Sequence, residues 1–128
     1  MNLNDFPFHH SFDKEYLTDI YDNDVPYFLE ITTHLLKNIE PELEELKQYC
    51  QRNDDANFAK KLHKISSIVG CVGQVNASVR YKELETSFVK EGVFKEEPSK
   101  IVKDVLQTMK YIEFDYLELK NSVESVNI

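Results

Sequence analysis

The chain has 128 residues, which fits one domain, since single cores typically use ~100–150 residues. It carries 15 Lys+Arg against 23 Asp+Glu, a formal net charge of −8. That balance argues against general nucleic-acid or anionic-membrane binding, both of which need clustered positive charge.

With 41% hydrophobic residues and only Gly 3 and Pro 4, the composition points to helices rather than loops. Met1–Ser11 shows no periodicity and reads as an N-terminal arm bearing His9 and His10. Phe12, Tyr16, Leu17, Ile20 and Tyr21 recur at helical spacing and predict a short first helix. Asp22-Asn23-Asp24 ends it, and Pro26 sits where a first-turn proline is tolerated. Phe28, Ile31, Leu35, Ile39, Leu43, Leu46 and Cys50 form one stripe through a long second helix. Pro41 falls inside it and is expected to kink rather than break it, because the stripe keeps phase on both sides.

Gln51–Asp54 reads as a turn ending in a cap. Phe58, Leu62, Ile65 and Val69 then give a third helix at i, i+4, i+7 and i+11. The stretch 70–73 is expected to weaken or bend the chain, with Asn76 capping the next helix. Ala77, Tyr81, Leu84 and Phe88 mark this fourth helix, which stops near Gly92. Pro98 opens a fifth, in which Ile101, Val105, Met109, Ile112, Tyr116 and Leu119 face inward. The expected architecture is all-α: an antiparallel up-down four-helix bundle over 12–121 with a short additional N-terminal helix. Residues 122–128 are left as a C-terminal tail.

Cys50 and Cys71 make at most one bridge, so no disulfide framework is expected. Neither a signal peptide nor an apolar run near ~18 residues is visible, so no membrane insertion and a reducing, cytoplasmic setting are expected.

One residue stands out on the third helix. At ~100° per residue, His63 lies about 130–140° from the centre of the Phe58/Leu62/Ile65/Val69 stripe and should point outward. Around it the same wheel places Ala56, Ala59, Lys60, Ser66, Ser67 and Gly70, all small except Lys60. Gly70 in an exposed helix costs ~1 kcal/mol relative to Ala, and a bare collar would let another protein approach the ring. Lys60, Lys61 and Lys64 with no acid between 58 and 68 add a local cationic edge suited to a phosphoryl group or an acidic pocket. An exposed histidine, a lysine run and a small-residue face each have ordinary structural explanations; it is their coincidence that points to a site.

The other histidines carry less. His34 reads as a core-edge residue, and the His9–His10 pair lacks further ligands at useful spacing, so no metal site is expected. No Cys-x-x-Cys, phosphate-binding Gly-rich loop or Gly-x-Ser-x-Gly is present, and no carboxylate completes a triad with Ser66 or Ser67. Glu40, Glu42, Glu44 and Glu45 read as an ordinary solvated face.

The segment Leu62-His63-Lys64-Ile65-Ser66-Ser67-Ile68-Val69-Gly70-Cys71-Val72-Gly73 resembles the signature of histidine-containing phosphotransfer (HPt) domains of two-component phosphorelays. In that pattern a histidine is followed by an apolar residue two on, Lys-Gly at the third and fourth places, and a Gly ten on. His63, Ile65 and Gly73 match, whereas Ser66 and Ser67 stand where the family has Lys and Gly. The likeness extends over roughly 12–120, including Phe12–Leu17, Asp24 with Phe28-Leu29, Leu43–Leu46 followed by Asn53-Asp54, and Leu84-Glu85.

The resemblance implies a phosphocarrier rather than an autonomous enzyme. His63 would accept a phosphoryl group, with Lys60, Lys64, Ser66, Ser67 and Glu85 stabilising it or orienting the ring. Ala59 and Gly70 would lie under the docked receiver, and this chain's apolar docking rim would include residues of the first helix such as Tyr16 or Tyr21. The implied partners are a response-regulator receiver domain and a hybrid sensor histidine kinase. The receiver would bring its own Mg²⁺, with no cofactor intrinsic to this chain, which is expected to be a monomer. A degenerate adaptor that binds a receiver or kinase without being phosphorylated is the alternative.

Overall fold

The computed structural model describes residues 13–126. These fold into six helices: α1 (Lys14–Tyr21), α2 (Val25–Asn38), α3 (Glu40–Gln51), α4 (Asp55–Cys71), α5 (Val75–Glu91) and α6 (Pro98–Val126). Among the described residues there is no strand, and no helix is long and apolar enough to cross a membrane. The arm at 1–11, with His9 and His10, and Phe12 lie outside the described residues.

Acidic residues start three of the helices by satisfying an otherwise unpaired N–H. Asp13 accepts from Tyr16 N, Asp24 from Tyr27 N and Asp54 from Asn57 N. The expected cap at Asn76 is displaced: α5 begins at Val75 after Gln74, and Asn76 lies within its first turn. At the other end Gly92 adopts a left-handed φ of 78°, which closes α5 without the steric penalty a side chain would bring.

The expected kinked helix is two helices. Proline at 41 offers no N–H, and its ring crowds the carbonyl of Lys37 four residues back. The helical ladder therefore ends at Asn38 and restarts at Glu40, with Ile39 holding helical angles between them (φ −79°, ψ −27°). Because Ile39 stays helical, the apolar stripe crosses the break in phase: Phe28, Ile39, Leu43 and Leu46 are all buried.

The core joins these residues to Leu17 and Tyr21 of α1, the Phe58/Leu62/Ile65/Val69 stripe of α4, Tyr81 and Leu84 of α5, and Ile101, Val105, Met109, Ile112 and Leu119 of α6. α6 continues to Val126, through what the sequence leaves as a tail at 122. The stretch expected to bend at 70–73 is helical through Cys71 and turns only afterwards, with Gly73 at φ 98°. α1 is tied to this turn twice. Asp13 N donates to Gly73 O at 2.9 Å, and Tyr21 Oη donates to Cys71 O at 2.8 Å. Burial pushes the Tyr21 phenol up to about 12, so it remains a donor throughout the physiological range.

Candidate functional site

α4 is packed on two sides. Its main stripe, Phe58, Leu62, Ile65 and Val69, is fully buried. A second row at i, i+4, i+7 and i+11, formed by Ala59, His63, Ser66 and Gly70, runs along the side that meets α5. Three of these four are buried: Ala59 at 3%, Ser66 at 0%, and Gly70. Only the His63 side chain emerges, 60% exposed.

This corrects the expected collar. Ala59 and Gly70 do not lie open for a docking partner; they are the floor of the α4–α5 seam. A Cβ placed on Gly70 would meet Ser78 Oγ of α5 at 3.0 Å and Ser78 Cβ at 3.3 Å. The glycine is there because α5 is there, and the propensity cost of Gly70 is offset by the close approach of two helices. Ser66 is likewise unavailable to a phosphoryl group, since its buried hydroxyl donates to the His63 carbonyl at 2.6 Å. Ser67 is exposed and makes only a long 3.4 Å contact to the same carbonyl, leaving its hydroxyl open to the surface.

Across the seam Glu85 comes from α5, with its side chain 23% exposed and Oε2 3.6 Å from His63 Nδ1. That separation is just beyond hydrogen-bond length. A carboxylate bonded to one ring nitrogen would fix the orientation and tautomer of an imidazole, with the proton on Nδ1 and the free lone pair on Nε2. The close seam makes this possible, because small residues beneath the ring bring α5 near enough for Glu85 to reach it.

The lysine run is divided by α3. Glu42 accepts from Lys61 Nζ at 2.5 Å and from Lys64 Nζ at 2.7 Å, and Lys61 also pairs with Glu45 at 2.8 Å. Hydrogen bonds from Lys61 and then Lys64 hold the Glu42 carboxyl below the usual glutamate value. Desolvation works against the Lys61 ammonium, but its bonds to Glu42 and Glu45 outweigh it and raise its pKa. Glu42 therefore belongs to the site's surroundings rather than to a plain solvated face. Its partners lie 19 and 22 residues away on another helix, beyond any local pattern. Lys60 is exposed, one turn before His63, and among the described residues no carboxylate lies within ion-pair distance of it.

Beside this face, between α2–α3 and α4, runs an apolar groove of about 420 Å³. Ile31, Leu35 and Ile68 line it, with Lys64, Ser67 and Cys71 along its α4 side. His34 is exposed at its edge rather than in the core, its carbonyl accepting from Asn38 Nδ2 at 2.8 Å. Tyr16 is partly exposed on α1, but Tyr21 is buried and bonded to Cys71 O, so only the former is accessible. Among the described residues, no group of three His, Cys, Asp or Glu side chains is placed to hold a metal ion.

Comparison with known proteins finds no family model, curated protein or solved structure that matches the chain.

Proposed function

We propose that this protein is a histidine phosphotransfer carrier, shuttling a phosphoryl group between His63 and the aspartate of a receiver domain. The observation that carries this reading is the exposed imidazole of His63 with Glu85 of the neighbouring helix at its Nδ1. The sequence likeness around His63, Ile65 and Gly73 supports it, as does the helix order. In this reading α2 and α3 act as one interrupted element that forms an antiparallel four-helix bundle with α4, α5 and α6. α1 is the short extra helix. Connections at 52–54, 72–74 and 92–97 are short enough for antiparallel neighbours.

The chemistry is a transfer in line. The Nε2 lone pair of His63 attacks the phosphorus of the receiver's aspartyl phosphate, and an N–P bond forms. The P–O bond to the aspartyl carboxylate breaks, and that carboxylate leaves with the electron pair. Nδ1 keeps its proton, and positive charge gathering on the ring is offset by Glu85. Reversal delivers the group to another receiver. Lys60 is the cation free to lie along the phosphoryl oxygens, with Ser67 as a hydroxyl donor; Lys64 joins only by leaving Glu42. Mg²⁺ enters with the receiver, whose carboxylates would hold it against the transferring group. The carrier has no reaction of its own, and the proposed setting is the cytoplasm, with a receiver domain and a hybrid sensor kinase as partners.

Incubation with a phosphorylated cognate receiver should move label onto the wild-type chain and leave His63→Gln unlabelled. Equal labelling of that variant would refute the proposal. One observation favours a second reading: Ser66, in the place of the family lysine, is buried and spent on the His63 carbonyl. A protein that binds the receiver at the same face yet never carries acid-labile phosphate would be the adaptor instead.

A further inference from the structure

Between α2–α3 and α6 lies a second groove, of about 680 Å³. Its floor is apolar, with Leu36, Leu43, Leu106 and Met109, and its rim carries Lys37, Lys110 and Lys120 alongside Glu40 and Glu113. No residue of α4 or α5 lines it. Leu117 lines its α6 side, 47% exposed, and one turn away along α6 from Lys110 and Leu117 is Phe114, 62% exposed. An exposed aromatic beside an unfilled apolar groove is the pattern of an interface anchor and its receptor.

We infer that this face binds a second copy of the chain, seating two α6 helices antiparallel about a two-fold axis at the level of Tyr111 and Ile112. Charge selects this occupant. The whole chain carries −8, so two copies repel except where the local balance is not negative. This rim holds three lysines and two glutamates. A rim of mixed sign is complementary to itself under two-fold rotation: Lys110 of one copy falls beside the partner's Glu113, and the reverse. Phe114 and Leu117 then cover the apolar floor of the opposite groove. α6 has 29 residues and is about 43 Å long at 1.5 Å per residue. A strip of that length and about two helix diameters wide supplies the ~800 Å² per partner of a standard interface. This departs from the monomer expected from sequence, and it leaves both copies of His63 uncovered, independently of whether the carrier reading holds.

Sedimentation equilibrium of the full chain at about 100 μM should show a dimer. Phe114→Asp and Leu117→Asp sit at exposed positions and should each keep the melting profile while weakening dimerisation at least about tenfold. Lys110→Glu should weaken it as well, and adding Glu113→Lys should restore it. A monomer at every concentration would overturn the inference, including one whose groove takes up an apolar dye. So would a dimer indifferent to both aspartate variants.

Discussion

Two seams of this molecule are built on opposite plans. Between α4 and α5, Ala59, Ser66, Gly70 and Ser78 are small and buried, so the helices close and only His63 projects from the row. Between α3 and α6, Leu43, Leu106 and Met109 line a groove of about 680 Å³. The closed seam places the one exposed imidazole of its row 3.6 Å from a carboxylate of the next helix. The open one offers an apolar floor with lysines and glutamates along its rim. Side-chain volume at the contact decides which kind of surface a helix pair presents.

The closed seam is the more fragile. Gly70→Arg must force α5 off Ser78, and overpacking of this kind costs at least about 3 kcal/mol. Thermal unfolding should drop by roughly 10 °C or more. An unshifted melting curve would mean that Gly70 faces solvent after all. Gly70→Ala, with its Cβ 3.0 Å from a movable hydroxyl, should change stability by about 1 kcal/mol or less, because the helix-propensity gain of ~1 kcal/mol offsets the crowding.

On the far side of α5 a buried hydroxyl ties that helix to α6. Tyr81 Oη donates to Asp104 Oδ2 at 2.6 Å and shares a 2.9 Å bond with Thr108 Oγ1. Burial raises the Tyr81 phenol above its ordinary value. Tyr81→Phe keeps the ring and removes the bonds, for an expected loss of about 1–2 kcal/mol by chemical denaturation. A midpoint equal to that of the wild type would show the hydroxyl to be idle.

The ion cluster on α3 has a smaller effect with a defined pH signature. Glu42 has a folded pKa below its unfolded one. Its stabilisation is therefore fully present above the unfolded glutamate value of ~4.3 and fades as pH falls through the lower folded value. Glu42→Gln should cost about 1 kcal/mol at pH 7, and the gap from wild type should vanish on acidification. A gap constant from pH 7 to below the glutamate range would assign the effect to packing instead.

Much of the fold was legible because it follows from repeating patterns. The apolar stripes of α2–α3, α4 and α6 named most of the buried residues, although Ile31, Leu35, Cys50 and Tyr116 are only half-buried, and the turn ending at Asp54 was legible as a cap. The break at Ile39 was not legible, since an in-phase stripe looks the same whether the helix bends or restarts. The errors at Ala59, Ser66 and Gly70 have one cause. Small residues add little to a hydropathy wheel, so a helix buried on two sides shows only the side with large apolar groups. His63 was readable as exposed because it lies well away from the main apolar stripe, and it is the one member of the small-residue row whose side chain emerges. The link from Glu42 to Lys61 and Lys64 depends on which helices become neighbours, and no local spacing encodes that.

The most direct test is to map phosphate on the intact chain. After exposure to a phosphorylated receiver at neutral pH, peptide mass spectrometry should find a single acid-labile phosphate on the peptide containing His63. Melting of His63→Gln should stay within about 0.5 kcal/mol of wild type, as expected for an exposed side chain. Phosphate on an aspartate or serine, or on the His63→Gln protein, would contradict the account.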